Sequence, residues 1–166
     1  MSYISDQIIN SRIALNAVDI NSDIDSIIQV KLKDQVEGKC YEDGYIIKDS
    51  IKIIKRSIGK IITSNNQSKV RYEITYSGKI ISPSNGDIIQ SYISNINKMG
   101  VISYIKLDDD DTSENSPMII MVPKEYFNGS TRNIEDLTVG QSLEVSVIGC
   151  RIKYGSDKIQ IVAKPN

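Results

Sequence analysis

Histidine is absent from this sequence of 166 residues, and its absence limits the chemistry that the chain can perform. Histidine is the usual general base at neutral pH and the commonest protein ligand for metals. Without it, the Ser-His-Asp and Cys-His arrangements of nucleophilic catalysis are excluded. Glycine loops of the P-loop or dinucleotide-binding type are missing as well. We therefore expect a chain that is not catalytic on its own and that uses no cofactor and no metal.

Cysteine is scarce, and its placement excludes two kinds of structural cross-link. Cys40 and Cys150 are the only cysteines, and they are far apart in the sequence. Two isolated thiols fit neither a zinc cluster nor a disulfide framework. Because free cysteine behaves as a small apolar residue in protein cores, we expect both side chains to be buried.

Long apolar runs and an excess of one charge are also lacking. No stretch approaches the roughly 20 apolar residues that cross a bilayer, and the N-terminus lacks the basic region and apolar run of a signal peptide. We expect a soluble, intracellular protein with no membrane partner. Because the net charge is -1, no global basic field attracts nucleic acid, so such a contact must come from local patches.

Isoleucine is what the sequence has in abundance. Tryptophan is absent and Phe127 is the only phenylalanine, so isoleucine must supply most of the core volume. This richness in β-branched residues favours strands. A break near Pro83 would leave two halves of roughly 80 residues, each able to hold a modest core. We predict two domains, spanning 1–82 and 83–166.

The first half has a pattern that predicts an α+β domain. Apolar residues from Ile24 to Val36 recur at helical spacing, and Gly38 marks the end of the helix. A short strand is expected over 12–15, and five runs rich in β-branched residues follow the helix, at 45–48, 50–55, 60–63, 70–76 and 79–81. These runs predict an antiparallel sheet with the one helix packed on a face of it.

The segment from Lys55 to Lys60 is a basic tip between two of these predicted strands. One interpretation is an ordinary solvated hairpin. The other is a docking tip, in which Arg56 and Lys60 meet acidic groups on a larger partner while Ile58 fills a pocket. The sequence leaves both interpretations open.

The second half has the pattern of an all-β OB-fold barrel. Apolar and polar residues alternate from Gly86, a turn follows at Lys98 to Gly100, and the chain reverses into a strand over Val101 to Leu107. Three further strands are expected at 117–122, 143–152 and 158–162. The four aspartates of Asp108 to Asp111 could bind a divalent ion, but consecutive side chains point in different directions, which favours a mobile loop.

An OB-fold binds nucleic acid on its second and third strands and on two of its loops. In this sequence those loops and the nearby strands carry tyrosines, which stack on bases, and lysines, which contact phosphates. We predict weak binding of single-stranded RNA there, although tyrosine and lysine also occur together by chance. The residues are Tyr92, Lys98, Tyr104, Lys106, Lys153, Tyr154 and Lys158.

Several short motifs follow one another along both halves. They are Lys33 to Val36 with Glu37-Gly38-Lys39-Cys40, then Gly44-Tyr45-Ile46, the alternating Val70, Tyr72, Ile74 and Tyr76, Gly86-Asp87-Ile88-Ile89, Gly100-Val101, and Val147-Ile148-Gly149-Cys150. In this order they resemble the stalk subunit of multisubunit DNA-directed RNA polymerases. That family contains the seventh subunit of eukaryotic polymerase II, the archaeal E subunit and shortened viral counterparts.

The resemblance implies a positional role. The N-terminal domain would dock on the large polymerase subunits near the clamp, supporting initiation, and the OB domain would guide nascent RNA. The large subunits would perform the chemistry, and a small stalk partner could bind too. By resemblance, Gly38, Lys39, Cys40, Gly44 and Tyr45 would shape the docking tip, and Arg56, Ile58, Gly59 and Lys60 would form a second contact.

Two features depart from the family pattern. The aspartate stretch is longer than the expected turn, and the chain stops soon after the fifth strand, so the small stalk partner could be missing or altered.

The isoleucine, asparagine and lysine excess is typical of an AT-rich genome, such as that of a large DNA virus. The protein would act in the nucleus or, if it is viral, in a cytoplasmic viral factory of the host and in the virion. The alternatives are a free-standing OB-fold RNA-binding protein of translation or RNA decay, and a purely structural interaction module.

Overall fold

The structure, a computed structural model, describes residues 3–21 and 23–166. Over these residues the chain is mostly β, with one α-helix, a sheet and a closed five-stranded barrel. Contacts divide it into two compact units. The helix unit contains Ser5–Gly38 and Ile46–Ile80, and the barrel unit contains residues 3–4, Lys39–Tyr45 and Ile81–Asn166. The domain boundary expected after residue 82 stays a prediction.

Two strands of the helix unit are much longer than the sequence predicted. In chain order they are β1 Ile4–Asn16, β2 Cys40–Tyr41, β3 Gly44–Ile46, β4 Lys52–Arg56, β5 Lys60–Ser64, β6 Gln67–Ile81, β7 Ile88–Asn97, β8 Gly100–Tyr104, β9 Met118–Pro123, β10 Ser142–Arg151 and β11 Ile159–Pro165, and the helix α1 is Ile24–Val36. The short strand expected at 12–15 is part of a strand of 13 residues. The two strands expected at 70–76 and 79–81 are one strand of 15 residues.

In the helix unit, β6 is the shared partner of the other long strands. It pairs with β1, and it pairs antiparallel with β4 and β5 in turn along its length. Helix α1 buries Ile28 and Leu32, whereas the rest of the predicted apolar face is only half-buried. Its polar side chains reach β1, because Lys31 Nζ donates to the Ala14 carbonyl at 2.5 Å. The sequence therefore identified the helix correctly.

The barrel is closed by strands β7 to β11 in the order β7-β8-β9-β11-β10, with β10 returning to β7. Every neighbouring pair is antiparallel except β9 and β11, which are parallel. Alternate residues of each strand point inward and are fully or almost fully buried, among them Ile89, Val101, Ile120, Leu143 and Ile161. A closed barrel of five strands is compatible with the predicted OB type.

Gly100 opens β8 where the backbone of β9 passes very close. Its φ is +143°, and an added Cβ would overlap the Val122 carbonyl oxygen and lie 2.8 Å from the Lys124 nitrogen. We expect Gly100→Ala to lower the free energy of unfolding by more than about 3 kcal/mol, because strain and backbone overlap act together. Denaturant titration would measure the loss.

Gly86→Ala is the matched control for this prediction. Gly86 also has a positive φ of +91°, but nothing lies within 4 Å of an added Cβ. Its substitution should therefore cost only about 1 kcal/mol of backbone strain. Equal losses for the two variants would contradict the close approach at Gly100.

Candidate functional site

The hairpin tip, Arg56 to Lys60, holds an apolar side chain out in solvent. Strand β4 ends at Arg56, β5 begins at Lys60, and the Ile58 side chain between them is 91% exposed. The base of the tip is anchored to β6, because the Ser57 N–H donates to the Glu73 carbonyl and the Glu73 N–H donates to Ser57 Oγ, both at 2.9 Å. The exposed isoleucine is therefore presented on an ordered turn.

Gly59 lets the tip lie directly against β6. An added Cβ there would be 2.6 Å from Val70 Cγ1 and 2.9 Å from Tyr72 Cε1. The role that the structure gives Gly59 is therefore close packing within the unit. Lys60 is exposed, and it lies opposite Arg71 in the β5–β6 pairing.

Arg56 already has partners inside the helix unit. Its Nε lies 2.5 Å from Asp25 Oδ1 on α1, and its guanidinium lies 5.6 Å from the centre of the Tyr72 ring. The hydrogen bond to Asp25 raises the pKa of Arg56. The predicted contact of Arg56 with acidic groups of a partner stays a prediction, and it would have to compete with this ion pair.

The strands beside the tip add two exposed isoleucines that the sequence did not single out, and further cations lie near them. Ile54 is 53% exposed on β4 and Ile61 is 73% exposed on β5. Cations occur along the same strands and the neighbouring part of β6, namely Lys52, Lys55, Lys60, Lys69 and Arg71. Exposed aliphatic groups among cations suit a partner surface that is apolar with an acidic margin.

The residues from Cys40 to Tyr45 form a short hairpin in the barrel unit. Cys40 pairs with Tyr45 across β2 and β3, and Gly44 is buried with both of them, whereas Lys39 is exposed. The hairpin is tied to the β10–β11 turn, because the Cys40 N–H donates to the Ser156 carbonyl at 2.7 Å and the Gly155 N–H donates to the Cys40 carbonyl at 2.9 Å. Cys40, Gly44 and Tyr45 are thus interior residues of the barrel unit.

Gly38 belongs to the helix unit and ends α1 with a φ of +70°. Its N–H donates to the Ile46 carbonyl at 2.9 Å. The expected burial of the two cysteines is met by Cys40, whereas Cys150 is only partly buried. The part of Gly38, Lys39, Cys40, Gly44 and Tyr45 in shaping a docking tip stays a prediction.

Burial raises the pKa values of Cys40 and Tyr45, so the stability of the fold should depend on pH in the alkaline range. Desolvation, with smaller effects of Asp157 and Cys150, raises the pKa of the Cys40 thiol to about 11. Desolvation also raises the pKa of Tyr45 to about 12. In the unfolded chain the thiol ionises from about pH 8.5. Because the folded-state pKa is the higher one, the stability that this thiol contributes is complete below pH 8.5 and is lost as pH rises towards 11.

We expect the free energy of unfolding to fall between pH 8.5 and 11, as measured by urea titration at a series of pH values. Cys40→Ala should fall less steeply over the same range, because it lacks the thiol. Identical slopes for the two proteins would contradict the assignment to Cys40.

The tyrosine cluster, Tyr92, Tyr104 and Lys106, brings together three of the seven predicted RNA-binding residues. Tyr92 on β7 and Tyr104 on β8 are register partners, and their ring centres are 6.3 Å apart with an angle of 43° between the rings. The Lys106 ammonium lies 4.7 Å from the centre of the Tyr92 ring. All three side chains are partly exposed, so rings and a cation are offered together on the outside of the barrel.

The other predicted RNA-binding residues lie elsewhere on the barrel unit. Lys98 is exposed in the β7–β8 turn, and Lys153 and Tyr154 are exposed in the β10–β11 turn. Lys158 is different, because its ammonium donates to the carbonyls of Ser113, Glu114 and Ser116 at 2.8 to 3.0 Å. These hydrogen bonds attach Lys158 to the loop that precedes β9.

The aspartate stretch forms a turn closed by one of its own carboxylates. Asp111 Oδ2 accepts from the backbone N–H groups of Leu107 and Asp108, at 2.8 and 3.1 Å. No group of three or more metal-ligating side chains occurs in the described part of the chain. Residues 3–21 and 23–166 likewise contain no helix with the length and apolarity needed to span a membrane.

No protein-family model matches this sequence, and no curated protein is significantly similar to it. The polymerase resemblance therefore depends on the motifs quoted above. The geometry of the hairpin tip and of the tyrosine cluster adds to those motifs two surfaces that can be tested separately.

Proposed function

We propose that this chain is a non-catalytic stalk subunit of a DNA-directed RNA polymerase, which docks on the large core subunits and contacts the exiting transcript. The observation that carries the proposal is the exposed Ile58 on an anchored basic hairpin, in a chain that also contains a five-stranded barrel with an outer tyrosine cluster. Each feature supplies one of the two contacts that a stalk subunit needs.

The hairpin tip supports the docking contact. Complete burial of an isoleucine side chain in a partner pocket is worth about 1.5 to 3 kcal/mol. The hydrogen bonds between Ser57 and Glu73 fix the turn beforehand, which lowers the entropy lost on binding. The exposed ammonium groups of Lys55 and Lys60 would steer the tip towards an acidic margin on the core.

The barrel supports the RNA contact. The order β7-β8-β9-β11-β10, with its parallel β9 and β11, supports an OB fold. The helix and strands of the other unit are compatible with an α+β domain earlier in the chain. Stacking on an aromatic side chain is worth about 1 to 3 kcal/mol per base, so Tyr92 and Tyr104 suffice for weak, sequence-tolerant binding. The net charge of -1 adds no long-range attraction to phosphate, so contact should depend on a transcript delivered nearby.

The resulting role is positional. The chain would hold the clamp in a state suited to initiation and guide single-stranded RNA, and the large subunits would make the phosphodiester bonds. A small stalk partner is compatible with this role. If the protein comes from a large DNA virus, it would act in the viral factory and the virion. If it comes from another organism with a reduced genome, it would act in the compartment that contains the polymerase.

A free-standing RNA-binding protein of translation or RNA decay is the second candidate function. The tyrosine cluster favours it, because that cluster needs no polymerase in order to stack bases. This second function gives no role to the exposed Ile58, however. A free-standing RNA-binding protein should bind RNA whether or not the tip is intact.

Native purification of the tagged chain from the producing cells, followed by mass spectrometry, tests the proposal. We expect both largest polymerase subunits in stoichiometric amounts. Recovery of ribosomal or decay factors, or of no large partner, would contradict the stalk function and favour the second candidate.

A further inference from the structure

The outer face of the barrel carries a groove that neither the tip nor the tyrosine cluster uses. Its volume is about 550 Å³. Aliphatic side chains from three adjacent strands form its floor, with Cys150 and Gly149 at one side, and the aliphatic residues are Ile102, Ile119, Met121 and Val162. Ile119 and Val162 are 40% and 42% exposed, although both lie in regular strands.

Strand register explains why these residues form one surface. Ile102 lies opposite Met121, Met121 lies beside Val162, and Val162 lies opposite Gly149. A parallel row contains Ile119, Gln160 and Arg151. The four strands β8, β9, β11 and β10 are consecutive neighbours around the barrel, so the two rows lie side by side on its outer wall.

The charges at the groove have one sign. Among the described residues that line it, Arg151 alone is charged, and Lys164 is exposed two residues beyond Val162 on β11. In the described part of the chain, the side chains of Arg151 and Gln160 form no hydrogen bond or ion pair. The nearest carboxylate along β10, that of Glu144, accepts from Asn166. The groove therefore complements an apolar occupant that brings its own carboxylate.

The closed barrel determines the form of that occupant. Because β7 to β11 close on one another, no strand edge is free to accept a peptide as an added strand. A helix needs no such edge, because it satisfies its own backbone hydrogen bonds. A single strand of RNA would find aliphatic groups and one guanidinium here, and no aromatic platform in the groove itself.

We propose that this groove docks an amphipathic helix from another protein, with apolar residues at i, i+3, i+4 and i+7 on the floor and a flanking carboxylate paired with Arg151. The groove contains no residue of the tip or the tyrosine cluster, although Ile119 lies opposite Tyr104 of that cluster in the β8–β9 pairing. It provides the chain with a separate binding surface for a second polypeptide.

Gly149 offers a way to fill the groove without disturbing the barrel. Its φ is outside the left-handed region, and nothing lies within 4 Å of an added Cβ. Gly149→Leu should therefore fold normally and occupy the groove. Gln90→Leu is the matched control, because Gln90 is exposed on β7, away from the groove, and gains the same side chain.

The probes are two labelled alanine-rich helical peptides with leucines at i, i+3, i+4 and i+7. One carries flanking glutamates and its twin carries lysines in their place. By fluorescence anisotropy on the full chain, we expect the glutamate peptide to bind at least about tenfold more tightly than the lysine twin. Gly149→Leu should weaken binding of the glutamate peptide at least about tenfold. Arg151→Gln should make the affinities for the two peptides equal, and Gln90→Leu should leave both affinities unchanged.

Three results would overturn the proposal. The first is that neither peptide binds, or that both bind Gly149→Leu as well as the unaltered chain. The second is a loss of oligouridylate binding in Gly149→Leu, which would make the groove an RNA surface. The third is a concentration-dependent dimer that Gly149→Leu abolishes in light scattering, which would make the occupant a second copy.

Discussion

Ile58→Asp is expected to abolish co-purification of the chain with the large polymerase subunits and to leave its folding unchanged. Ile58 is 91% exposed, so its replacement removes no packing in the free chain, and such surface changes alter stability by about 0.5 kcal/mol or less. In the complex the same change places a carboxylate in an apolar pocket. Loss of a hot-spot side chain costs about 2 to 4 kcal/mol, which corresponds to roughly 30-fold to 1,000-fold in affinity.

Val18→Asp is the control for this experiment. Val18 belongs to the same unit and is 90% exposed, so the two substitutions are matched in chemistry and exposure. Thermal unfolding should be the same for both variants, and only Ile58→Asp should lose the polymerase subunits in pull-down. Normal assembly of Ile58→Asp, or equal loss with Val18→Asp, would contradict docking through the tip.

The double variant Tyr92→Ala/Tyr104→Ala should bind single-stranded RNA at least about 30-fold more weakly, because each lost stacking contact costs about 1 kcal/mol or more. It should still assemble with the polymerase, since the cluster lies in the other unit from the tip. Fluorescence anisotropy with an oligouridylate probe would measure the affinity. Lys106→Ala should lower the RNA affinity by less than the double variant does. It should also reduce the salt dependence of that affinity by the equivalent of about one phosphate contact.

Both tyrosines are partly buried, so folding needs its own control. Tyr92→Phe/Tyr104→Phe retains the rings and should retain RNA binding, which separates loss of stacking from loss of structure. Tyr126→Ala removes a tyrosine that is 42% exposed outside the cluster, and it should have no effect. Unchanged RNA affinity in the alanine double variant would contradict the assignment of the cluster.

The sequence predicted the β7–β8 hairpin well, because its alternation places Ile89 and Ile93 inside the barrel and its turn contains Lys98. It did not predict the length of β6. Ser77 and Gly78 suggested a break between two strands, but β6 remains one extended strand, with Gly78 buried inside it. Local turn propensity was thus overridden by pairing with other strands.

The predicted site residues show the same limit. Arg56 and Lys158 were counted as cations available to a partner, yet their partners are Asp25 on α1 and the carbonyls before β9, more than 30 residues away in the sequence. The groove was missed altogether. Its floor is made of single outward residues such as Ile119 and Val162, which become one surface only through the register of β9 and β11.

Photo-crosslinking from position 58 is the measurement that tests the polymerase role most directly. A benzophenone amino acid at this exposed position would sample whatever contacts the hairpin tip in the producing cells. The stalk function predicts crosslinks to one of the two largest polymerase subunits, and none from the same group at position 18. Crosslinks to ribosomal or RNA-decay proteins, or no crosslink above that at position 18, would contradict it.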